Sequence, residues 1–166
     1  KLRLGLGDKS VQEYYEEGVK TSFSSKGATG AETYLADDTN VPSASYVDPA
    51  RGTNTNVSAM VSKLTVKWDD SASEGNKLER IMVQKWIALF PDGVEAWSEM
   101  RRTGYPGIVT ISTNASGGEV KSGELISRLK FPTTEYSDNS ANTQAAVSLL
   151  NGQDAAGTRL WWDVKR

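Results

Sequence analysis

Between Asn76 and Tyr105 the apolar positions recur at helical spacing, stop, and recur again. Leu78, Ile81, Met82, Trp86, Leu89 and Phe90 fall on one face of a first helix. Asn76 with Glu79 offers its capping box. Pro91-Asp92-Gly93 ends the run. Asp92 then caps a second helix, with Glu95 three residues on to complete a box. Val94, Trp97 and Met100 point inward on it and Glu95, Glu99 and Arg102 outward. Thr103-Gly104-Tyr105-Pro106 closes it in the usual order of a C-terminal Gly followed by Pro.

The same period appears from Ser10 to Lys26, where Val11, Tyr14, Tyr15, Val19 and Phe23 make an apolar stripe that seeks a core. Ser10 and Glu13 form a capping box and Gly27 supplies the stop. From Ala28 to Asn56 small and polar residues dominate, which reads as a long irregular connection. Val57–Lys63 is read as one or two helical turns, and Leu64, Val66 and Trp68 alternate with Thr65 and Lys67 as in a short extended segment. Ile108–Ile111 and Leu125–Phe131 read as two strands of a small hairpin around a Gly/Ser/Asn loop. Asn139–Leu150 reads as a last helix. The pattern as a whole predicts a mainly α fold with irregular loops and one small β-hairpin.

Composition narrows the chemistry. The 166 residues include no Cys and no His. That excludes disulfides, thiolate catalysis and Cys-based zinc sites, and removes the commonest general base. With 19 basic and 21 acidic residues the net charge is −2, which gives no electrostatic footprint for nucleic acid. No apolar run approaches the ~20 residues of a membrane helix. No phosphate-binding Gly loop or nucleophile elbow is present. Carboxylates remain as catalytic candidates, but a glycosidase needs only two at a suitable separation, and 21 acidic residues offer such pairs by chance. The Asp37-Asp38-Thr39-Asn40 cluster has oxygen ligands but lacks EF-hand spacing, so it reads as a turn; no metal or cofactor is assigned.

The string QKWIALFPDGVEAWSEMRRTGYP, followed in order by Arg128-Leu129-Lys130-Phe131-Pro132-Thr133-Thr134-Glu135 and by Leu160-Trp161-Trp162-Asp163, resembles the C-terminal part of SusD/RagB-like outer-membrane lipoproteins. Tyr14-Tyr15-Glu16-Glu17-Gly18 fits the same family, while Ala28–Ser73 carries little of the likeness. The resemblance implies a tetratricopeptide-type helical fold to which this part packs. It also implies non-enzymatic capture of a glycan, or sometimes a peptide, at the Gram-negative cell surface. Delivery to a SusC-like TonB-dependent transporter and attachment by an N-terminal lipid anchor follow from the same likeness. Members are much longer than this chain, and no signal peptide or lipobox Cys occurs in it. Residues 1–166 are therefore expected to be a C-terminal fragment of a SusD-like domain, its N-terminal portion and anchor lying outside the sequence given. The alternative is a structural or interaction segment whose parent binds ligand entirely elsewhere.

No family binding motif transfers to positions here, so candidate contacts come from the residues themselves. Sugar capture favours aromatic rings that lie outside the core. Trp86 and Trp97 stand on apolar helix faces, where a core role comes first. In Trp161-Trp162 the neighbouring side chains face opposite ways if the segment is extended. Trp68 and Tyr46 lie in or beside the irregular region and are the carbohydrate-binding candidates. Arg101 is placed to cover Trp97, and Arg102 to pair with Glu99.

Overall fold

The structure, a computed structural model, describes residues 1–41, 45–47, 49–50, 52, 54–56, 62–107, 115–121 and 123–163. The chain divides into two compact units, Lys1–Val109 and Thr110–Arg166.

The first unit opens with helix α1, Val11–Ser25. Its capping box is complete: the Ser10 hydroxyl accepts from the Glu13 N–H, and the Glu13 carboxylate accepts from the Ser10 N–H. Val11, Tyr15, Val19 and Phe23, four residues apart, line the face that packs inward. Tyr14 stays outside and ties down the N-terminal segment, its hydroxyl donating to the Asp8 carboxylate at 2.7 Å. Helix α2, Ala31–Leu35, starts from Gly30, whose φ of 86° suits a residue without a Cβ. This helix lies inside the stretch read as irregular. At five residues it is too short to show a period, yet Leu35 enters the core beside Tyr15, Val19 and Trp68, and Tyr34 stacks near Phe23.

Strands β1, Ser45–Val47, and β2, Asn54–Asn56, pair antiparallel with Tyr46 opposite Thr55. The helical turn expected at Val57–Lys63 falls mostly outside the described residues. Residues 62–69 do not form a strand. Their backbone groups are bonded by other parts of the unit: the Tyr15 hydroxyl donates to the Val66 carbonyl, Arg80 Nε to the Thr65 carbonyl, and Lys67 N–H to the Asp37 carbonyl.

Helix α3, Glu74–Ala88, begins one turn earlier than the Asn76–Glu79 box implied. Ser73 is the cap, and Asn76 serves as the N–H donor to its hydroxyl. Helix α4, Gly93–Thr103, is capped by Asp92, which accepts from the Glu95 N–H. The reciprocal half of that box is absent, because the Asp92 N–H donates to the Leu89 carbonyl. Gly104, at φ 76°, ends the helix and donates its N–H to the Met100 carbonyl.

The inward faces of these two helices differ from the expected ones. Along α3 and the two residues that follow it, Met82 is buried and Leu78, Ile81 and Leu89 half-buried, but Trp86 and Phe90 are exposed. On α4, Met100 is buried, but Val94 and Trp97 are exposed. The reason is that α3 carries two apolar stripes. Leu78, Ile81, Met82 and Leu89 form one, and Val83, Trp86, Ile87 and Phe90, at i, i+3, i+4 and i+7, form the other. A single-face reading merges them.

In the second unit, helices α5, Thr133–Asp138, and α6, Ser140–Ser148, replace the single helix expected at Asn139–Leu150. Asn139 separates them at φ −138°, ψ 39°. The buried Thr143 hydroxyl lies 3.0 Å from both the Glu135 and Asn139 carbonyls and joins the two helices. The expected hairpin is not formed where it can be followed. Ile108–Ile111 lies outside the described residues, and Leu125–Phe131 is not a strand. Its N–H groups are satisfied otherwise: Ser127 and Arg128 both donate to the Ala156 carbonyl, and Phe131 donates to the Asp154 carboxylate. The fold is mainly helical, as the sequence implied.

Candidate functional site

Trp68, a sequence-derived candidate, is placed by α1, α2 and the segment before α3. It is 8% exposed. Its ring centroid lies 5.2 Å from that of Tyr15 at a 40° tilt, and its indole N–H donates to Asp70 at 2.8 Å. Burial pushes the Tyr15 phenol well above its usual range, so its hydroxyl stays a donor to Val66.

Trp68 lines an open pocket of about 310 Å³. Gln12, Glu16 and Lys20 of α1, Glu32 and Leu35 of α2, Ala36 and Lys67 line it as well. Gln12 donates to Glu16 at 2.7 Å, and Lys20 stands 3.7 Å from Glu32. Lys67 donates to Asp38 at 2.8 Å, a bond that raises the Lys67 pKa and lowers that of Asp38. Amide, carboxylate and ammonium groups beside an indole form a set able to hydrogen-bond hydroxyl groups.

Tyr46 lies in β1. Asp37, at the other end of the connection, accepts from the N–H groups of Thr39 and Asn40 and from both their side chains. Those bonds, led by the Asn40 N–H, hold its carboxyl down at about 2. Asp37 therefore organises a turn, and Asp38 is held by Lys67. Among the described residues no three Asp or Glu side chains gather into a metal-holding group.

Trp161 and Trp162 are the aromatic pair whose placement the sequence left open. Both are exposed, at 79% and 61%, with centroids 5.3 Å apart and rings edge to face. Arg159 and Asp163 pair across them at 3.2 Å, and the Asp163 N–H donates to the Leu160 carbonyl. Adjacent residues share one side because the segment turns.

Two ion-pair centres brace the units. Glu99 receives Lys85 at 2.9 Å and both Arg102 Nε and Nη2, at 3.1 and 2.7 Å. Arg102 above all holds the Glu99 carboxyl down at about 2. Arg101 covers Trp97 at 5.3 Å, as its spacing implied. In the second unit the buried pair Arg128–Asp154 is completed by the Phe131 N–H and the Tyr136 hydroxyl, which both donate to Asp154. Burial pushes the Asp154 pKa up, but these donors outweigh it and the net shift is downward.

Comparison with known proteins identifies the class. The SusD-like family, described as SusD and RagB outer membrane lipoproteins, matches residues 4–163. A chitin-binding SusD homologue from Flavobacterium johnsoniae superposes with a TM-score of 0.84 and 43% identity, over 99% of this chain and 34% of that one. SusD homologues from Bacteroides uniformis and Bacteroides ovatus give TM-scores of 0.79 and 0.82, at 44% and 37% identity. They are covered over 32% and 34% of their length, by 93% and 99% of this chain. No curated protein sequence matches. The chain belongs to the SusD-like family and spans about a third of the length of the solved structures it matches. Among the described residues no helix is long and apolar enough to cross a membrane.

Proposed function

We propose that this chain is the C-terminal part of a cell-surface glycan-binding lipoprotein that captures an oligosaccharide without cleaving it. Its parent hands the oligosaccharide to a SusC-like TonB-dependent transporter and is held at the outer face of the outer membrane by an N-terminal lipid anchor. The observation that carries this reading is the 43% identity, over 99% of the chain, to a homologue described as chitin-binding. The side-chain inventory agrees with it. Stacking a sugar on an indole needs no proton transfer, and the chain has five Trp and six Tyr but no His or Cys.

The contacts proposed within this chain are Trp68, through the pocket it lines, and Tyr46. A second reading takes the segment as scaffold, with the ligand held wholly by other parts of the polypeptide. The deep burial of Trp68 favours it.

Titration calorimetry of the lipoprotein with chito-oligosaccharides and other glycans tests both readings. Capture requires binding without release of reducing sugar, and a loss of affinity on Trp68→Phe and Tyr46→Ala. If neither substitution changes the affinity, the scaffold reading holds. Release of reducing sugar that vanishes on replacing one Asp or Glu of this chain rejects the non-enzymatic function.

A further inference from the structure

The pocket lined by Trp68 carries a carboxylate that no cation neutralises. Four charged side chains line it: Glu16, Lys20, Glu32 and Lys67. Both ammonium groups are engaged by carboxylates, Lys20 by Glu32 at 3.7 Å and Lys67 by Asp38 at 2.8 Å. Glu16 is different. It is half-buried, and among the described residues its carboxylate is met only by the Gln12 side-chain amide, at 2.7 Å. Lys20 follows Glu16 by one helical turn, a spacing at which such pairs ordinarily meet, but it reaches Glu32 on α2 instead. Three carboxylates therefore stand against two ammonium groups, and the amide bond from Gln12 leaves the charge of Glu16 in place.

Size and charge together set the class of ligand. A volume of about 310 Å³ lies at the low end of the ~300–1,000 Å³ of small-molecule sites, which suits one sugar unit of a longer chain. A sugar hydroxyl donates an ordinary hydrogen bond to a carboxylate and leaves its charge uncancelled. A protonated amine donates charge-assisted bonds, about twice as strong, and cancels that charge. An N-acetyl group is neutral and does neither. We propose that Glu16 sets the specificity of the Trp68 pocket, which takes a hexosamine unit with a free, protonated amino group in preference to an N-acetylated or neutral sugar. The inference rests on the glycan-capture reading and narrows it. The ligand class is a partly or fully de-N-acetylated amino-sugar oligosaccharide, which differs in that one group from the chitin named for the Flavobacterium johnsoniae homologue.

Titration calorimetry of the full lipoprotein with glucosamine and N-acetylglucosamine oligosaccharides of equal length tests it. The ratio of the two affinities is compared between variants, so that contacts made elsewhere cancel. The unsubstituted protein is expected to favour the glucosamine oligosaccharide. Glu16→Gln keeps the size of the side chain and removes its charge, and should reduce that preference about fivefold, the worth of one exposed charge pair. A second arm needs no variant. The chain has no His or Cys, so between about pH 6 and about pH 9 the sugar amine titrates while the pocket does not. The preference should vanish at the higher pH, with binding of the N-acetyl form unchanged. A preference that Glu16→Gln or the rise in pH leaves intact overturns the proposal, as does stronger binding of the N-acetyl form at both pH values. In those cases binding that Trp68→Phe weakens leaves glycan capture through this pocket standing. Affinities for both oligosaccharides that ignore Trp68→Phe reject the pocket as a sugar site and the proposal with it.

Discussion

The Tyr15 hydroxyl donates to the Val66 carbonyl at 2.6 Å, across 51 residues of chain. This bond fixes the path of residues 62–69 over α1 and sets Trp68 against the Tyr15 ring. Tyr15→Phe keeps the ring packing but leaves the Val66 carbonyl without its partner. A cost of about 1–2 kcal/mol is expected, measured as a lower urea midpoint with an unchanged slope.

Exposure separates the tryptophans energetically. Trp68→Ala removes a ring that is 8% exposed and should destabilise the first unit by about 3–5 kcal/mol. Trp161→Ala removes one that is 79% exposed and should stay within about 0.5 kcal/mol. Thermal melts of the two variants side by side check the contrast. The opposite order would mean that Trp161 is covered in solution.

Glu99 makes stability depend on pH in a defined direction. Its folded pKa, about 2, lies below the ordinary carboxylate value of 4.5, so its contribution is complete above about 4.5. It is lost as pH falls through the folded value. Glu99→Gln should therefore lower stability by about 1 kcal/mol at neutral pH and converge on the unsubstituted chain near pH 2. Urea midpoints recorded from pH 7 to pH 2 follow the difference.

The Arg128 and Asp154 side chains are buried against each other, and the Phe131 N–H and Tyr136 hydroxyl also donate to Asp154. Arg128→Ala leaves the carboxylate buried with fewer partners and should cost about 3–5 kcal/mol. Hydrogen exchange should rise at Phe131 and Ser127, whose N–H bonds depend on this corner. Lys130→Ala removes an exposed pair with Glu119 and should leave stability nearly unchanged.

The features legible in residue order are local ones. Ser10 with Glu13, Asp92 before α4 and Gly104 after it act through hydrogen bonds to groups within four residues, so their roles are written in the order of the chain. Arg101 over Trp97 and Arg102 on Glu99 are likewise one helical turn apart. The family resemblance was legible for the same reason, being carried by a continuous string. Contacts between segments distant in the chain set the remainder. They chose which of two apolar stripes on α3 faces inward, because both satisfy the helical period and only packing against α1 and α4 distinguishes them. They made Trp68 a core residue, since Tyr15 lies 53 positions away in the sequence. They kept Leu125–Phe131 out of a strand by giving its N–H groups to Ala156 and Asp154, acceptors that no local pattern announces.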